Sequence, residues 1–494
     1  MASGFALTPE EFRRLGYRAV DMAADYLAAL PAGPVFTPMQ PGERETLLKQ
    51  GMPEEGLAPA EVLAYLSEHV SARPMGNGHP RFFGWVNSPP APLAVITELI
   101  ASAMNPSCAG GDHAAIYLEH CVVRWLMELM GFPQEASVGL LVSGASVASI
   151  VALCAARFWA AAQSKYDVRA RGLARLSAPL RLYTSSETHS CIQKAVELLG
   201  LGSEAIRRIP VVAGFRIDVE ALRSAILRDR DNGLRPFCVV ANAGTVNTGA
   251  IDPLWQLAAL CGEMNLWLHV DGAYGAPGIL DPAIAERYRG LERVDSLAVD
   301  PHKWLGVPVE CGCVFVRDGE LLRNAFSLVP PYIRTEEDKG FGGAPWFSEY
   351  GVQQTRGFRA LKLWTTLVSA GRAGLSDLVS RHRRLAQHLG ALISAEPDLE
   401  LSTPVTLSIV CFRYAPHDFS GTPEQLDDLN KSVMETLQSE GRVFVTNAVL
   451  NGRFVLRACI LHYGTTESDL SILVEAVLDA GRRCTSAPAA PAAR

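Results

Sequence analysis

The chain has 494 residues, 48% hydrophobic and 20% charged, enough to bury a large core divided over two or three structural units. A formal net charge of −7 without a long basic run argues against a nucleic-acid partner or an anionic membrane surface. No stretch reaches about eighteen uninterrupted apolar residues, so no membrane span is expected; eleven scattered cysteines without a C-x-x-C pair fit a reducing, cytoplasmic compartment, with neither structural disulfides nor a metal centre.

In chain order, Thr8-Pro9-Glu10-Glu11 reads as a capping box opening an amphipathic helix with Phe12, Leu15, Ala19, Met22, Tyr26 and Leu30 on one face. Acidic residues there argue against a secretory signal. Residues 1–90 are helical with Pro/Gly-rich connections, too little for a compact domain, so this segment must pack on something else. Residues 91–375 alternate short β-rich runs with helical stretches. The runs are Gly139–Val142, Leu180–Thr184, Phe237–Ala241, Leu266–Val270, Ser296–Val299 and Gly312–Val316, and their alternation predicts an α/β fold with a mostly parallel sheet. Residues 376–485 read as a smaller α+β domain, with a helix Ser376–Ser394 and apolar runs Leu407–Phe412 and Phe454–Ile460, and residues 486–494 as a disordered tail.

Chemistry collects where these runs end. Val142-Ser143-Gly144-Ala145-Ser146 joins a strand to a helix, and small residues, a helix N-terminus and a hydroxyl suit a phosphate. His189 follows the next strand at a helix start, and Asn242 to Gly249 ends another strand in a polar turn. Asp271 closes the run Leu266–Val270, and Lys303, 32 residues later, follows Ser296–Val299. That spacing suits neighbouring parallel strands joined by a crossover, both groups at the carboxyl ends where open α/β sheets bind ligands. A carboxylate that keeps a ring nitrogen protonated and an amine that forms a Schiff base with an aldehyde are what pyridoxal 5'-phosphate requires. Thr245 or Asn247 could meet the phenolic oxygen of that cofactor or the Asp271 carboxylate. After Lys303, the polar, glycine-rich stretch from Arg334 to Pro345 has the composition of a mobile lid.

The word Asp300-Pro301-His302-Lys303-Trp304, with Asp271 upstream, resembles the pyridoxal-phosphate-dependent group II amino-acid decarboxylases, the family that includes the aromatic-L-amino-acid decarboxylases, and the likeness runs from roughly Thr8 to Arg483. The resemblance implies the fold type I, aspartate aminotransferase-like architecture and a homodimer with shared active sites, the N-terminal segment wrapping the partner. It implies cofactor contacts for Ala145, Ser146, His189, Thr245, Asp271, Ala273, Asp300, His302 and Lys303. His189 would stack on the pyridine ring, and Tyr332 would return a proton to the substrate carbon. The stretch His79 to Ser88 resembles the family's substrate pocket, which makes Trp85, Ser88 and His189 substrate-binding candidates. Two positions depart from the pattern: Val147 replaces a usual glutamate and Val246 a second threonine. The implied reaction is decarboxylation of an L-amino acid to the amine and CO2. Phe82, Phe83 and Trp85 favour an aromatic substrate, whereas Arg81 would serve an acidic one such as glutamate. A decarboxylation-coupled aldehyde synthase is a further alternative, against which Tyr332 argues.

Overall fold

The computed structural model describes residues 6–328 and 346–486. They form two compact units: the larger comprises Val86–Gln387 and Thr403–Val410, the smaller the described chain up to Trp85, His388–Ser402 and the chain from Cys411 onward.

The larger unit is built on a seven-stranded sheet. Its strands are β1 (Val138–Val142), β2 (Leu180–Ser185), β3 (Ile206–Ile209), β4 (Arg235–Asn242), β5 (Trp267–Asp271), β6 (Ser296–Val299) and β7 (Gly312–Val316), in spatial order β1-β7-β6-β5-β4-β2-β3. Strands β3, β2, β4, β5 and β6 run parallel; β7 runs antiparallel to both its neighbours. The carboxyl ends of β1, β2, β4, β5 and β6 therefore lie along one edge. Strands β5, β6 and β7 are buried at every residue, which is why they read as unbroken apolar runs. All six expected runs are strands of this sheet. The reading missed β3, whose Ile-Arg-Arg-Ile pattern is short and half charged.

The helices include α1 (Pro9–Ala29), α2 (Pro92–Met104), α3 (Ala114–Leu129), α4 (Ala145–Ala162), α5 (Cys191–Leu198), α6 (Arg359–Ala395), α7 (Pro423–Glu440) and α8 (Glu467–Ser486). Helix α4 is apolar enough to pass for a membrane span by length and composition, but most of it is buried, its small residues packing in the sheet's core with Val142, Leu182 and Ala298. Helix α1 opens with the expected capping box, Glu11 N–H donating to Thr8 Oγ1 at 3.2 Å and Thr8 N–H to Glu11 Oε2 at 2.9 Å. Gly371, at φ 64°, interrupts α6, and the expected helix Ser376–Ser394 is the part beyond that kink. In the smaller unit β8 (Leu399–Leu401), β9 (Ile409–Tyr414), β10 (Thr446–Leu450) and β11 (Arg453–Cys459) form a sheet ordered β8-β9-β11-β10. All eleven cysteines are free thiols.

Candidate active site

Asp271 is the last residue of β5, paired with Asn242 on β4 and Ala298 on β6. Its carboxylate is buried, with Oδ1 accepting from Ala273 N–H at 3.1 Å and Oδ2 from the Cys191 thiol at 3.7 Å. Backbone bonds tie its surroundings to both neighbours: Ala243 N–H donates to Asp271 O at 2.9 Å and Gly272 N–H to Ala298 O at 3.0 Å. One strand over, β6 ends at Val299 and the chain turns through Asp300 to Lys303, the turn closed by Lys303 N–H donating to Asp300 O at 2.9 Å. The strand-end aspartate and lysine segments are thus neighbours in space, as their spacing implies.

Lys303 Nζ lies 3.1 Å from Asp300 Oδ2, and His302 Nε2 lies 3.8 Å from the same oxygen. The other Asp300 oxygen, Oδ1, is buried without a hydrogen-bond partner among the described residues. It faces the junction of β1 with α4: a Cβ placed on Gly312 would meet Gly144 Cα at 2.5 Å and Asp300 Oδ1 at 2.8 Å. Only glycine allows β7 to start between those two loops. Ala145 and Ser146 open α4 there, where first-turn amides have no intrahelical acceptor; Ser146 is exposed and Ala145 buried. The free first-turn amides of α4 and the Ser146 hydroxyl fit the phosphate end of pyridoxal phosphate, whereas the Asp300 carboxylate, which only accepts, engages the Lys303 amine instead. The His302 ring packs against the Cys311 backbone, with Nδ1 2.8 Å from its carbonyl oxygen, and burial lowers its pKa.

His189 precedes α5. Its Nδ1 accepts from Cys191 N–H at 3.2 Å, so the neutral ring carries its proton on Nε2. Part of the ring remains open to solvent, yet protein on the remaining sides lowers its pKa by desolvation, against the raising effect of the Asp271 charge. The polar turn after β4 is held by its own side chains. The Thr245 hydroxyl is buried, 2.9 Å from Thr248 Oγ1, and accepts from Ala250 N–H at 3.1 Å, which closes the turn; Asn247 Nδ2 donates to Glu187 Oε2 at 3.0 Å. Ala273 is a buried backbone donor beside Asp271, and Ser88 is buried with its hydroxyl donating to His302 O at 3.3 Å. Tyr332 lies outside the described residues.

In the smaller unit, Phe82 and Phe83 are core residues, Phe82 stacked on Phe444 at 4.9 Å. Trp85 is 48% exposed, and its backbone sits at φ 46°, a region that bulky side chains rarely occupy. Thr446 Oγ1 accepts from its N–H at 3.3 Å and Arg457 donates to its carbonyl at 3.0 Å. Arg81 donates to Arg442 O at 3.0 Å and pairs with Asp469 at 3.7 Å.

Sequence reasoning passed over several groups that shape the site. Asp252 accepts from Asn242 N–H, Asn242 Nδ2 and Ile217 N–H, fixing the end of β4 from ten residues away. Glu119 and Arg356 form a fully buried pair that braces the end of β1 through Leu141. Neither belongs to a motif. An acidic residue amid the apolar face of α3 was the available signal.

A family model described as the pyridoxal-dependent decarboxylase conserved domain matches residues 41–415. The chain belongs to the pyridoxal-dependent decarboxylase family. A family member from Bacillus atrophaeus, an aromatic-L-amino-acid decarboxylase, is 34% identical over 95% of each chain. A phenylacetaldehyde synthase from a Rosa hybrid cultivar is 28% identical over 95% of this chain and 93% of its own. Among solved structures, Oryza sativa TDC with PLP and tryptamine superposes with a TM-score of 0.90 at 28% identity, covering 97% of this chain and 99% of that one. Mouse CSAD gives 0.88 at 26% identity, covering 96% and 99%. The fold is type I, the cofactor of this decarboxylase is pyridoxal phosphate, and its chemistry is that of an amino-acid carboxy-lyase.

Proposed function

We propose that this decarboxylase acts on aromatic L-amino acids, releasing the arylalkylamine and CO2. The observation that supports the choice of substrate is Arg81: the residue named for an acidic substrate is already engaged by Arg442 O and Asp469. The half-exposed indole of Trp85 and the activities named for the Bacillus atrophaeus and Oryza sativa proteins support the same reading. Trp85 and Ser88 are the proposed substrate contacts in the His79–Ser88 stretch.

When bound, pyridoxal phosphate supplies an electron-accepting ring that takes up the bond pair left by departing CO2. Lys303 offers its Nζ to the cofactor aldehyde, with Asp300 Oδ2 holding that nitrogen in place at 3.1 Å. Asp271, its oxygens ordered by Ala273 and Cys191, holds a proton on the ring nitrogen. Ala145, Ser146 and His302 would hold the phosphate, Asp300 would keep the Lys303 amine in place for the aldehyde, and Ala273 and Thr245 would support the turns that carry the ring's partners. His189, its Nδ1 occupied by Cys191 N–H, would cover the ring face and turn its Nε2–H to the substrate carboxylate. The Tyr332 hydroxyl delivers a proton to the substrate α-carbon, which commits the reaction to amine rather than aldehyde. A homodimer in a reducing, cytoplasmic compartment completes the proposal. Its support is the open apolar face of α2, where Leu93, Ile96, Leu99, Ile100 and Met104 are exposed, and α1, which buries none of its residues.

The test is to incubate the holoenzyme with each amino acid and identify the product by mass. Aromatic amines are expected; turnover confined to an acidic amino acid such as glutamate would overturn the reading.

A further inference from the structure

Cys191 is the first residue of α5, and two of its groups bond to two different site residues. Its backbone N–H donates to His189 Nδ1 at 3.2 Å, and its thiol donates to Asp271 Oδ2 at 3.7 Å across 80 positions of sequence. Side chain and carboxylate are both buried. From this geometry we infer that Cys191 is a positioning residue that locks the Asp271 carboxylate and the His189 ring into one orientation. The inference rests on the role of Asp271 proposed above.

A carboxylate at a strand end can rotate about its last bond, and in a site without bulk water an idle rotamer would turn its oxygens away from a ring nitrogen. Ala273 N–H fixes Oδ1 at 3.1 Å; the thiol fixes Oδ2 from the α5 side, so the plane of the carboxylate is set by donors on two elements. Burial first, and then the Asp271 charge, push the thiol pKa up, which keeps sulfur protonated and in the donor role. A thiol is a weak donor, so it orients Asp271 without competing strongly for the lone pair that a protonated ring nitrogen needs. The same residue's amide fixes the His189 tautomer, so ring-edge and ring-face partners share one anchor.

The test measures cofactor binding by the apoprotein rather than turnover. Equilibrium dialysis gives Kd for pyridoxal phosphate and for its 1-deaza analogue, which lacks the nitrogen that Asp271 would hold. Cys191→Val keeps an apolar side chain and removes the donor; Cys191→Ser keeps a donor. We expect Cys191→Val to weaken pyridoxal phosphate about fivefold or more, Cys191→Ser to bind it more tightly than Cys191→Val does, and the Val effect to disappear with the deaza analogue. If Cys191→Val does not fold, Cys191→Ala carries the same comparison. Equal loss for both ligands, or no loss for pyridoxal phosphate, would reduce Cys191 to a packing residue and overturn the inference. Wild-type protein binding both ligands equally tightly would instead remove the Asp271 reading beneath it.

Discussion

At the scale of single residues, the proposed mechanism divides the chemistry between Lys303 for attachment and Tyr332 for proton return. Lys303→Ala should show no measurable turnover, and borohydride reduction of the wild-type holoenzyme followed by peptide mapping should place the cofactor on Lys303; a label on another lysine would refute the assignment. Tyr332→Phe keeps the aromatic surface and removes the acid. Its expected products under air are CO2, aldehyde, ammonia and peroxide, because an unprotonated α-carbon reacts with dioxygen. Product analysis under air and under argon checks this, and clean amine at the wild-type rate would transfer the proton to another group, His189 first. A third residue predicts a pH dependence of stability. His269, on the same face of β5 as Asp271, is buried with Nδ1 2.9 Å from Ser296 Oγ, and desolvation lowers its pKa from 6.5 to about 4. The unfolded chain takes up that proton near 6.5 and the folded one only near 4. Stability from this group is therefore complete above pH 6.5 and falls as the pH drops toward 4, by roughly 3 kcal/mol. Urea denaturation of apoprotein at pH 7 and pH 4.5 should show a smaller acid loss for His269→Gln than for wild type.

At the scale of elements, the strands that carry chemistry were legible because each is buried on both faces and stops at a polar residue. Asp271 and Lys303 stood out for that reason: a charge ending an apolar run needs a purpose. The groups behind them were not legible. The Cys191–Asp271, Asp252–Asn242 and Glu119–Arg356 pairings span 10 to 237 residues, and no local pattern encodes them. Phe82 and Phe83 pack in the core of the smaller unit, and the Thr245 hydroxyl closes its own turn, which composition alone does not show. The Glu119–Arg356 pair makes the hidden layer testable. Arg356→Leu leaves a buried carboxylate without its cation and should cost about 3–5 kcal/mol, measured by chemical denaturation; the double variant Glu119→Leu/Arg356→Leu should be less destabilised than Arg356→Leu alone.

At the scale of the whole molecule, the exposed apolar face of α2 predicts self-association: sedimentation velocity should give a dimer at micromolar concentration, and Ile96→Arg with Ile100→Arg should yield monomers. A wild-type monomer with full activity would exclude shared active sites. One further consequence comes from β7, the strand that runs against its neighbours. Strand pitch, about 4.8 Å, is a fixed unit of length, and the sheet uses it to space groups that side chains alone would place loosely. One pitch separates the neighbouring strands β5 and β6, which lead into Asp271 and the Lys303 turn; inserting β7 puts two pitches between β6 and β1, whose end opens into α4. On the proposed reading, the spacing of the segments that would hold the cofactor is thereby set by backbone. A reversed strand that contributes no catalytic group of its own serves as the calibrated spacer of the site, and Gly312 is the notch that keeps the spacer from filling the gap it creates.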